Sequence, residues 1–481
     1  MIKKRLTSDQ FEAIRIFESW LKNASITEKF VLSGFAGSGK TFLSTKFLTL
    51  VEQNNFCWTV VAPTHKAVGV LRKVLKETCL TPTLRPSTIH RLLRLKLKWN
   101  GDLEVCEETS QTEKSLEKLG LVLIDEASMI DSRLLEIILK CSQKSNTRLI
   151  FVGDPGQLPP IGESISPVFS MKKVQAAHLN LVVRHQGPIL NLASLLREES
   201  FPCTPPTCFP TVHSDNGTVG CLSNNEWLEK AQLSLLNAAK KKDPDQARIL
   251  CYTNRYLERL IPYARRAIHG SKADKMSVLP GEVLITRRAV MLSASIDKIK
   301  FFEEPGILFG SNEEIIVKEV NSETFDFMDI DILCNISIQL PVIQILVAKV
   351  LCRNHHFLIR LLPEPGSESR INLDNILEEL TLKAKKQTGS EARKLWKAFF
   401  YVRDLFASVG PASVLTVHRS QGSTFGEVFL ASDIFWPKNI NLRKQLAYVG
   451  VSRASKAVWL LDSNKKNNGI NLWENRINSS S

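Results

Sequence analysis

Eight residues near the amino terminus restrict this chain more than any others: Gly34-Phe35-Ala36-Gly37-Ser38-Gly39-Lys40-Thr41. They follow the apolar run Phe30-Val31-Leu32 and precede Phe42-Leu43, so they read as a buried strand, a glycine loop and a helix start. The spacing is that of a P-loop, G-x-x-x-x-G-K-[ST], in which backbone N–H groups and a helix N-terminus wrap a polyphosphate. Gly37 and Gly39, on either side of Ser38, allow the backbone to approach closely. Lys40 is expected to reach the β and γ phosphates and the Thr41 hydroxyl to ligate Mg²⁺. The plain alternative is a glycine-rich turn that only joins strand to helix.

At 481 residues the chain exceeds one compact core, and about three domains are expected. Hydrophobic content of 43% is that of an ordinary globular protein. No apolar run reaches the roughly 18 residues of a bilayer span. The longest, Leu340 to Cys352, is broken by Gln344 and Lys349. MIKKRLTSDQ has charge with no apolar signal region behind it, so the expected location is cytoplasmic, with no membrane partner. The formal net charge of +14 points to a polyanionic partner, because Lys and Arg contacts to phosphates release counterions. Ten scattered cysteines suit a reduced interior. Cys203, Cys208, His213 and Cys221 form the one candidate metal cluster, but their spacing fits no zinc pattern well.

Thr7-Ser8-Asp9-Gln10 precedes a helical period with Phe11, Ile14, Phe17 and Leu21 on one face. Thr7 and Gln10 fit a capping box, and the Gln10 amide equally fits a group that reads a nucleobase edge. Trp58 to Pro63 is a second buried strand, with Thr64-His65-Lys66-Ala67 at its carboxyl end, where open α/β sheets bind ligands. Ser87-Thr88-Ile89-His90 repeats that placement, although Thr64, His65 and His90 taken singly are ordinary cap or loop residues. Arg94 to Val105 reads as a hairpin with Trp99 near its tip. A three-residue loop pairing Trp99 with Leu103 and Lys98 with Glu104 separates an apolar from a charged face, so that register is expected. Leu121 to Ser128 is an apolar strand delivering Asp125 and Glu126, charges that are costly there without a use. Beside a P-loop, Asp125 is expected to hold Mg²⁺ and Glu126 to activate the attacking water. Arg148 to Val152 leads to Gly153-Asp154-Pro155-Gly156-Gln157-Leu158-Pro159-Pro160. Gln157 fits either a sensor of the γ-phosphate or one residue of a proline-stiffened turn. Arg184 follows an expected strand from His178 to Val183.

Phe201 to Pro210 reads as a surface linker. Arg248 to Thr253 opens a further buried strand. From about Gly270 to Pro365 short strands dominate (GEVLITRRAVML, EEIIVKEV, FDFMDIDIL, HHFLIRLL), the pattern of a small β-barrel inserted into an α/β domain. Ser390 to Ala407 returns to helical period, with Leu395, Phe399, Val402 and Phe406 on one stripe. Short strands at Val414 to Val417, Val428 to Ala431 and Ala457 to Asp462 alternate with TVHRSQGST and AYVGVSRA, which makes the second half a second α/β domain.

In order, FAGSGKT, APTHKA, STIH, LIDEAS, GDPGQLPP, TVHRSQGSTF and YVGVSRA resemble the motifs of the superfamily 1 helicases, branch B, RecD-like group. The resemblance implies an α/β fold of two RecA-like P-loop domains with parallel sheets, ATP lying between them. It gives residues 1–180 as the first domain, with a β-hairpin pin inserted at about 84–118. Residues 181–268 and 406–476 form the second domain, and 269–405 its β-rich insertion, a small barrel plus a helix. It makes Gly34, Gly37, Ser38, Gly39, Lys40 and Thr41 the nucleotide cradle, Gln10 the adenine reader, Gln157 a γ-phosphate contact, and Arg184 and Arg453 arginine fingers. Thr64, His65, His90 and Thr416 fall where such enzymes touch single-stranded DNA, and Trp99 becomes the pin residue that stacks at the fork. The segment carrying Arg453 has Ser452 where Thr is commoner. The implied activity is ATP-dependent unwinding of forked duplex DNA, with 5′ to 3′ movement on single strands, in replication, recombination or repair. Single-strand-binding or replication proteins are the implied partners. Two rivals are the same motor acting on RNA or on protein-bound DNA, and a nucleotide-switched binding module that hydrolyses ATP slowly and moves nothing.

Overall fold

The structure is a computed structural model describing residues 6–23, 29–100, 103–160, 162–181, 187–296, 306–334 and 336–463. The chain divides into two compact units, Met1–Leu257 with Leu415–Ser481, and Glu258–Val414.

The first unit holds two six-stranded sheets. In chain order the amino-terminal half gives helix α1 (Ser8–Asn23), strand β1 (Lys29–Gly34), helix α2 (Lys40–Gln53), strand β2 (Trp58–Ala62) and helix α3 (His65–Thr78). It continues with strands β3 (Ser87–Thr88), β4 (Lys96–Asn100), β5 (Leu103–Glu107), β6 (Leu121–Ile124), β7 (Arg148–Gly153) and β8 (Val174–Leu179). The first sheet runs β3-β2-β6-β7-β1-β8 and every pairing in it is parallel. Its inner strands β2, β6 and β7 read as nearly continuous apolar runs because both faces are covered. On one face Phe17 of α1 stacks on Phe47 of α2 at 3.9 Å, with the Phe30 edge against both. The other face packs Val31, Val122, Ile124 and Phe151 against Leu134, Ile137 and Ile138.

The second sheet runs Val414–Thr416, Ala247–Cys251, Phe425–Leu430, Ala454–Leu461, Gly217–Leu222, Phe209–Ser214. Its last pair is an antiparallel hairpin, and the three pairings among Ala247–Cys251, Phe425–Leu430, Ala454–Leu461 and Gly217–Leu222 are parallel. Trp227, buried on the helix Asn224–Lys240, donates its ring N–H to the Trp459 carbonyl at 3.0 Å and fixes that helix to the sheet.

The second unit is built on five strands in the order His355–Leu361, Val342–Cys352, Glu314–Asp326, Val283–Thr286, Val409–Pro411. A parallel bridge from Leu361 to Ala407, two residues before the last strand, joins the two outer strands and closes the sheet into a small barrel. Two helices, Glu368–Lys386 and Gly389–Arg403, bury Leu373, Ile376, Leu395 and Val402 with Phe327 and Ile345 of the barrel.

Several expectations are corrected. The hairpin pairs Trp99 with Glu104, Lys98 with Val105 and Asn100 with Leu103, leaving two residues in the loop instead of three. It forms a two-stranded sheet of its own, so its register is not set by pairing with either large sheet. The side chain of Trp99 lies outside the described residues. In α1 the buried face is Gln10, Ala13, Phe17, Trp20 and Leu21, whereas Phe11 is 64% exposed. The strand expected at His178 to Val183 is displaced to Val174–Leu179, where it pairs with β1 along its whole length. FDFMDIDIL is not a strand: Phe325-Asp326 end the long strand and Phe327–Asp329 is a 3-10 turn. Leu340 to Cys352 supplies the central barrel strand Val342–Cys352. The helix expected to Ala407 ends at Arg403 and the helix Glu368–Lys386 precedes it.

Candidate nucleotide and nucleic-acid site

The loop from Gly34 to Lys40 turns on Gly37 (φ 82°) and Gly39 (φ 90°), left-handed positions that a side chain would strain. A Cβ on Gly39 would also lie 2.6 Å from Gln10 Nε2. Lys40 Nζ is folded back onto the carbonyls of Gly34 at 2.7 Å and Phe35 at 3.0 Å. Thr41, the second residue of α2, is half-buried. Ser38 Oγ is buried with no hydrogen-bond partner, an orphan polar atom at the loop's centre.

Gln10 meets the capping-box reading and makes one further bond. Its backbone N–H donates to Thr7 Oγ1 and its Oε1 accepts from Thr7 N, a complete capping box. Its Nε2 also donates to the Ser38 carbonyl at 3.1 Å, so α1 is tied to the phosphate loop. That tether explains why a polar residue heads the buried face of α1.

Asp125 and Glu126 leave the carboxyl end of β6, between β2 and β7. Glu126 has φ 53°, a strained backbone for a non-glycine residue, and its N–H donates to Asp125 Oδ1 at 2.9 Å. Burial first, and the Glu126 charge second, push the Asp125 carboxyl above its ordinary range, while the Glu126 N–H and the nearby Lys40 ammonium oppose the shift. A carboxylate so poor in positive charge is a fitting ligand for a divalent cation, together with the Thr41 hydroxyl.

β7 delivers Asp154, fully buried, whose Oδ1 accepts from Gly156 N and whose carbonyl accepts from Gln157 N. Gln157 is 5% exposed and its Oε1 is a second orphan. The opposite lobe reaches these loops. Tyr448, on the helix Ile440–Ser452, accepts from Ala36 N at 2.9 Å and donates to Asp154 Oδ2 at 2.7 Å. Gln421 Nε2 donates to the Leu158 carbonyl at 3.2 Å, and Lys66 Nζ lies 5.5 Å from the centre of the Phe425 ring. The Arg197 guanidinium lies 3.1 Å over the Phe35 ring. Sequence reasoning missed Tyr448 and Arg197. Tyr448 stands five residues before Arg453 in an already suspect segment, which is the only signal it gives, and Arg197 gives none.

Arg453, 6% exposed, donates to Val449 O, Ser423 O and Ser452 Oγ of its own lobe. Arg184 lies outside the described residues. Thr64 caps α3 by accepting from Ala67 N, and His65 is that helix's first residue. Parallel pairing of β2 with β3 brings Thr64 and His65 out beside the short helix Ile89–Leu92 that carries His90. Thr416 is 6% exposed and accepts from Arg419 N at 3.4 Å. At the suspected metal cluster, burial pushes the Cys203 thiol up to about 12 and the Cys208 thiol up to about 11, and His213 Nδ1 is bonded to Thr218 Oγ1. Among the described residues no three His, Cys, Asp or Glu side chains are grouped to hold a metal ion.

Residues 6–202 match a family described as an AAA domain, and residues 411–461 match the UvrD-like helicase C-terminal domain. The chain is 23% identical to the ATP-dependent DNA helicase dda of Enterobacteria phage T4 over 467 residues, covering 93% of this chain and 97% of the relative. These matches and the full-length relative support a superfamily 1B helicase of the RecD-like group. Other relatives of this helicase are shared in part only. An uncharacterized protein of Acanthamoeba polyphaga mimivirus is 35% identical over 180 residues, and the match spans about a third, 35%, of its length. The RecBCD enzyme subunit RecD of Buchnera aphidicola subsp. Acyrthosiphon pisum is 32% identical over 146 residues, 27% of this chain and 23% of the relative. The crystal structure of Bacteroides Pif1 bound to ssDNA is similar over 96% of this chain and 93% of that one, with 14% identity and a TM-score of 0.47. In this helicase the AAA match takes in the whole first sheet, and the C-terminal match takes in Thr416, Gln421, Tyr448 and Arg453. No described helix is long and apolar enough to cross a membrane.

Proposed function

We propose that this helicase hydrolyses ATP to move 5′ to 3′ along single-stranded DNA and to unwind forked duplex DNA, in replication, recombination or repair. One observation carries the reading: the phosphate loop, Asp125 and the Gln157 turn leave adjacent parallel strands of one lobe, and Tyr448 of the other lobe touches that loop and that turn.

Lys40 holds the β and γ phosphates, exchanging the two carbonyls it now occupies for stronger anionic acceptors. Gly34, Gly37, Ser38 and Gly39 shape the cradle, and the Ser38 hydroxyl gains the partner it lacks. Thr41 and Asp125 would hold Mg²⁺, which would supply charge neutralisation on the phosphates. Glu126 takes a proton from the attacking water, and the orphan amide oxygen of Gln157 is available to orient that water. Gln10 retains one N–H and one lone pair for the adenine edge. Arg184 and Arg453 bring positive charge to the transferring phosphoryl group as the lobes close, an effect worth orders of magnitude in rate in comparable NTPases. Arg453 starts from neutral acceptors of its own lobe, which an anionic phosphate outcompetes.

Single-stranded DNA runs past Thr64, His65 and His90 on one lobe and Thr416 on the other. The Thr64 and Thr416 oxygens accept backbone N–H groups, which leaves each hydroxyl proton free to donate to a DNA phosphate. If the two lobes' grips alternate as the cleft opens and closes, each ATP moves the strand one step. Single-strand-binding or replication proteins are the partners this reading implies. The deciding experiment is unwinding of duplexes carrying a 5′ or a 3′ single-stranded tail, with Lys40→Ala as control. Unwinding from the 5′ tail alone, absent in the control, is expected; turnover without strand separation on either tail would leave only a nucleotide-switched binding module.

A further inference from the structure

Tyr448 is 2% exposed and stands at a junction of three segments distant in sequence. Its hydroxyl oxygen accepts from the N–H of Ala36, at the crest of the phosphate loop. Its proton goes to Asp154 Oδ2, and Asp154 Oδ1 in turn fixes Gly156 N beside Gln157. The direction of this chain is set, because burial first and the Asp154 charge second hold the phenol protonated far above its ordinary range. The ring itself comes within 3.5 Å of the position a Cβ on Gly156 would take, so ring and turn are in van der Waals reach. Arg197 lies over Phe35, one residue earlier in the same loop, and 5.7 Å from the Tyr448 ring centre. Two residues of one lobe thus grip the phosphate loop of the other.

We propose that Tyr448 is a positioning residue through which occupancy of the phosphate loop sets the Gln157 turn, a regulation that rests on the ATP-site reading above. The physical reason is competition for one donor. The Ala36 N–H has a single proton, and while Tyr448 holds it, that N–H is not available to a bound phosphate. A phosphate that takes the N–H releases one side of the hydroxyl, lets the phenol move with its helix, and changes the hold on Asp154 and on Gln157. Arg453 caps the end of the same helix, so the turn and the finger are moved by one element.

Tyr448→Phe keeps the ring packing and removes both hydrogen bonds, and Asp154→Ala, which removes the acceptor of the Tyr448 proton, breaks the same link to the Gln157 turn should the first variant fold poorly. The measurement is amide hydrogen exchange of segments 34–41 and 153–158, without and with ADP plus aluminium fluoride, alongside steady-state ATP hydrolysis. In the parent protein both segments should respond to the nucleotide. In Tyr448→Phe the first should respond and the second should not, and kcat should fall by at least about fivefold with no rise in KM, since the loop has lost a competitor. A general loosening of the fold would raise KM and lower Tm together, and that result overturns the proposal, as does a variant whose 153–158 segment still responds. A parent protein that shows no response even at 34–41 defeats the nucleotide-site reading itself, and the relay falls with it.

Discussion

Gln10 illustrates how one side chain can close a helix cap and hold the phosphate loop at once. It closes the capping box with Thr7 and holds Ser38 in the phosphate loop, so Gln10→Ala should lower Tm by a few degrees, through about 1 to 2 kcal/mol of lost hydrogen bonding. The same variant should raise KM for ATP roughly tenfold; a normal KM with a lowered Tm would leave the cap as its whole role. Glu126→Gln keeps shape and the strained backbone, so nucleotide binding should persist while turnover falls by about 100-fold or more. Asp125 carries a pH signature. Its folded pKa lies above the ordinary value of 3.8, so its contribution to stability is full below that value and is lost as pH rises through the folded value. In protein free of nucleotide and divalent cation, the Tm advantage of Asp125→Asn over the parent should therefore widen from about pH 5 to pH 8. A constant difference across that range would mean that the carboxyl is not held up by burial.

At the level of elements, what was legible in the sequence was what burial dictates. The strands that leave the phosphate loop, the acid pair and the Gln157 turn are unbroken apolar runs, because parallel strands covered on both faces have no polar side. The hairpin is the opposite case: it pairs with neither large sheet, so no neighbouring strand fixes its register, and reasoning from separated faces paired it one residue out. The amino-terminal helix misled for another reason. Its inward face is headed by Gln10 while Phe11 stays 64% exposed, since the helix must serve the phosphate loop as well as the core. Tyr448 and Arg197 were unreadable because their partners lie 412 and 162 residues away along the chain, and no local period encodes a contact between lobes. The hairpin nonetheless keeps Trp99 one position from its closing pair in the observed register. Trp99→Ala should spare DNA-stimulated ATP hydrolysis and slow unwinding of a tailed duplex several-fold, by loss of base stacking worth about 1 to 3 kcal/mol. Equal unwinding by the variant would remove the residue from the fork.

For the molecule as a whole, the balance of 63 Lys and Arg against 49 Asp and Glu gives a net charge of +14, and the ion pairs seen are mostly exposed ones that contribute little to stability. Excess positive charge destabilises a compact chain by self-repulsion, so it calls for a compensating role, and holding a polyanion is the direct one. Phosphate contacts release counterions, and for single strands each lowers log K by about 0.7 per unit of log salt. A strand held at about five phosphates should then lose roughly a hundredfold in affinity between 50 and 200 mM salt. The slope also tests whether the lobes alternate their grip. If closure around ATP transfers the strand from one set of contacts to another, the number of phosphates held differs between the nucleotide-free and ADP plus aluminium fluoride states, and the two log–log lines should differ in slope by at least one contact, about 0.7. Fluorescence anisotropy of a labelled oligonucleotide across salt, in both states, measures this directly. Parallel lines would mean that nucleotide leaves the hold on DNA unchanged, and hydrolysis would then have no means of driving movement along the strand.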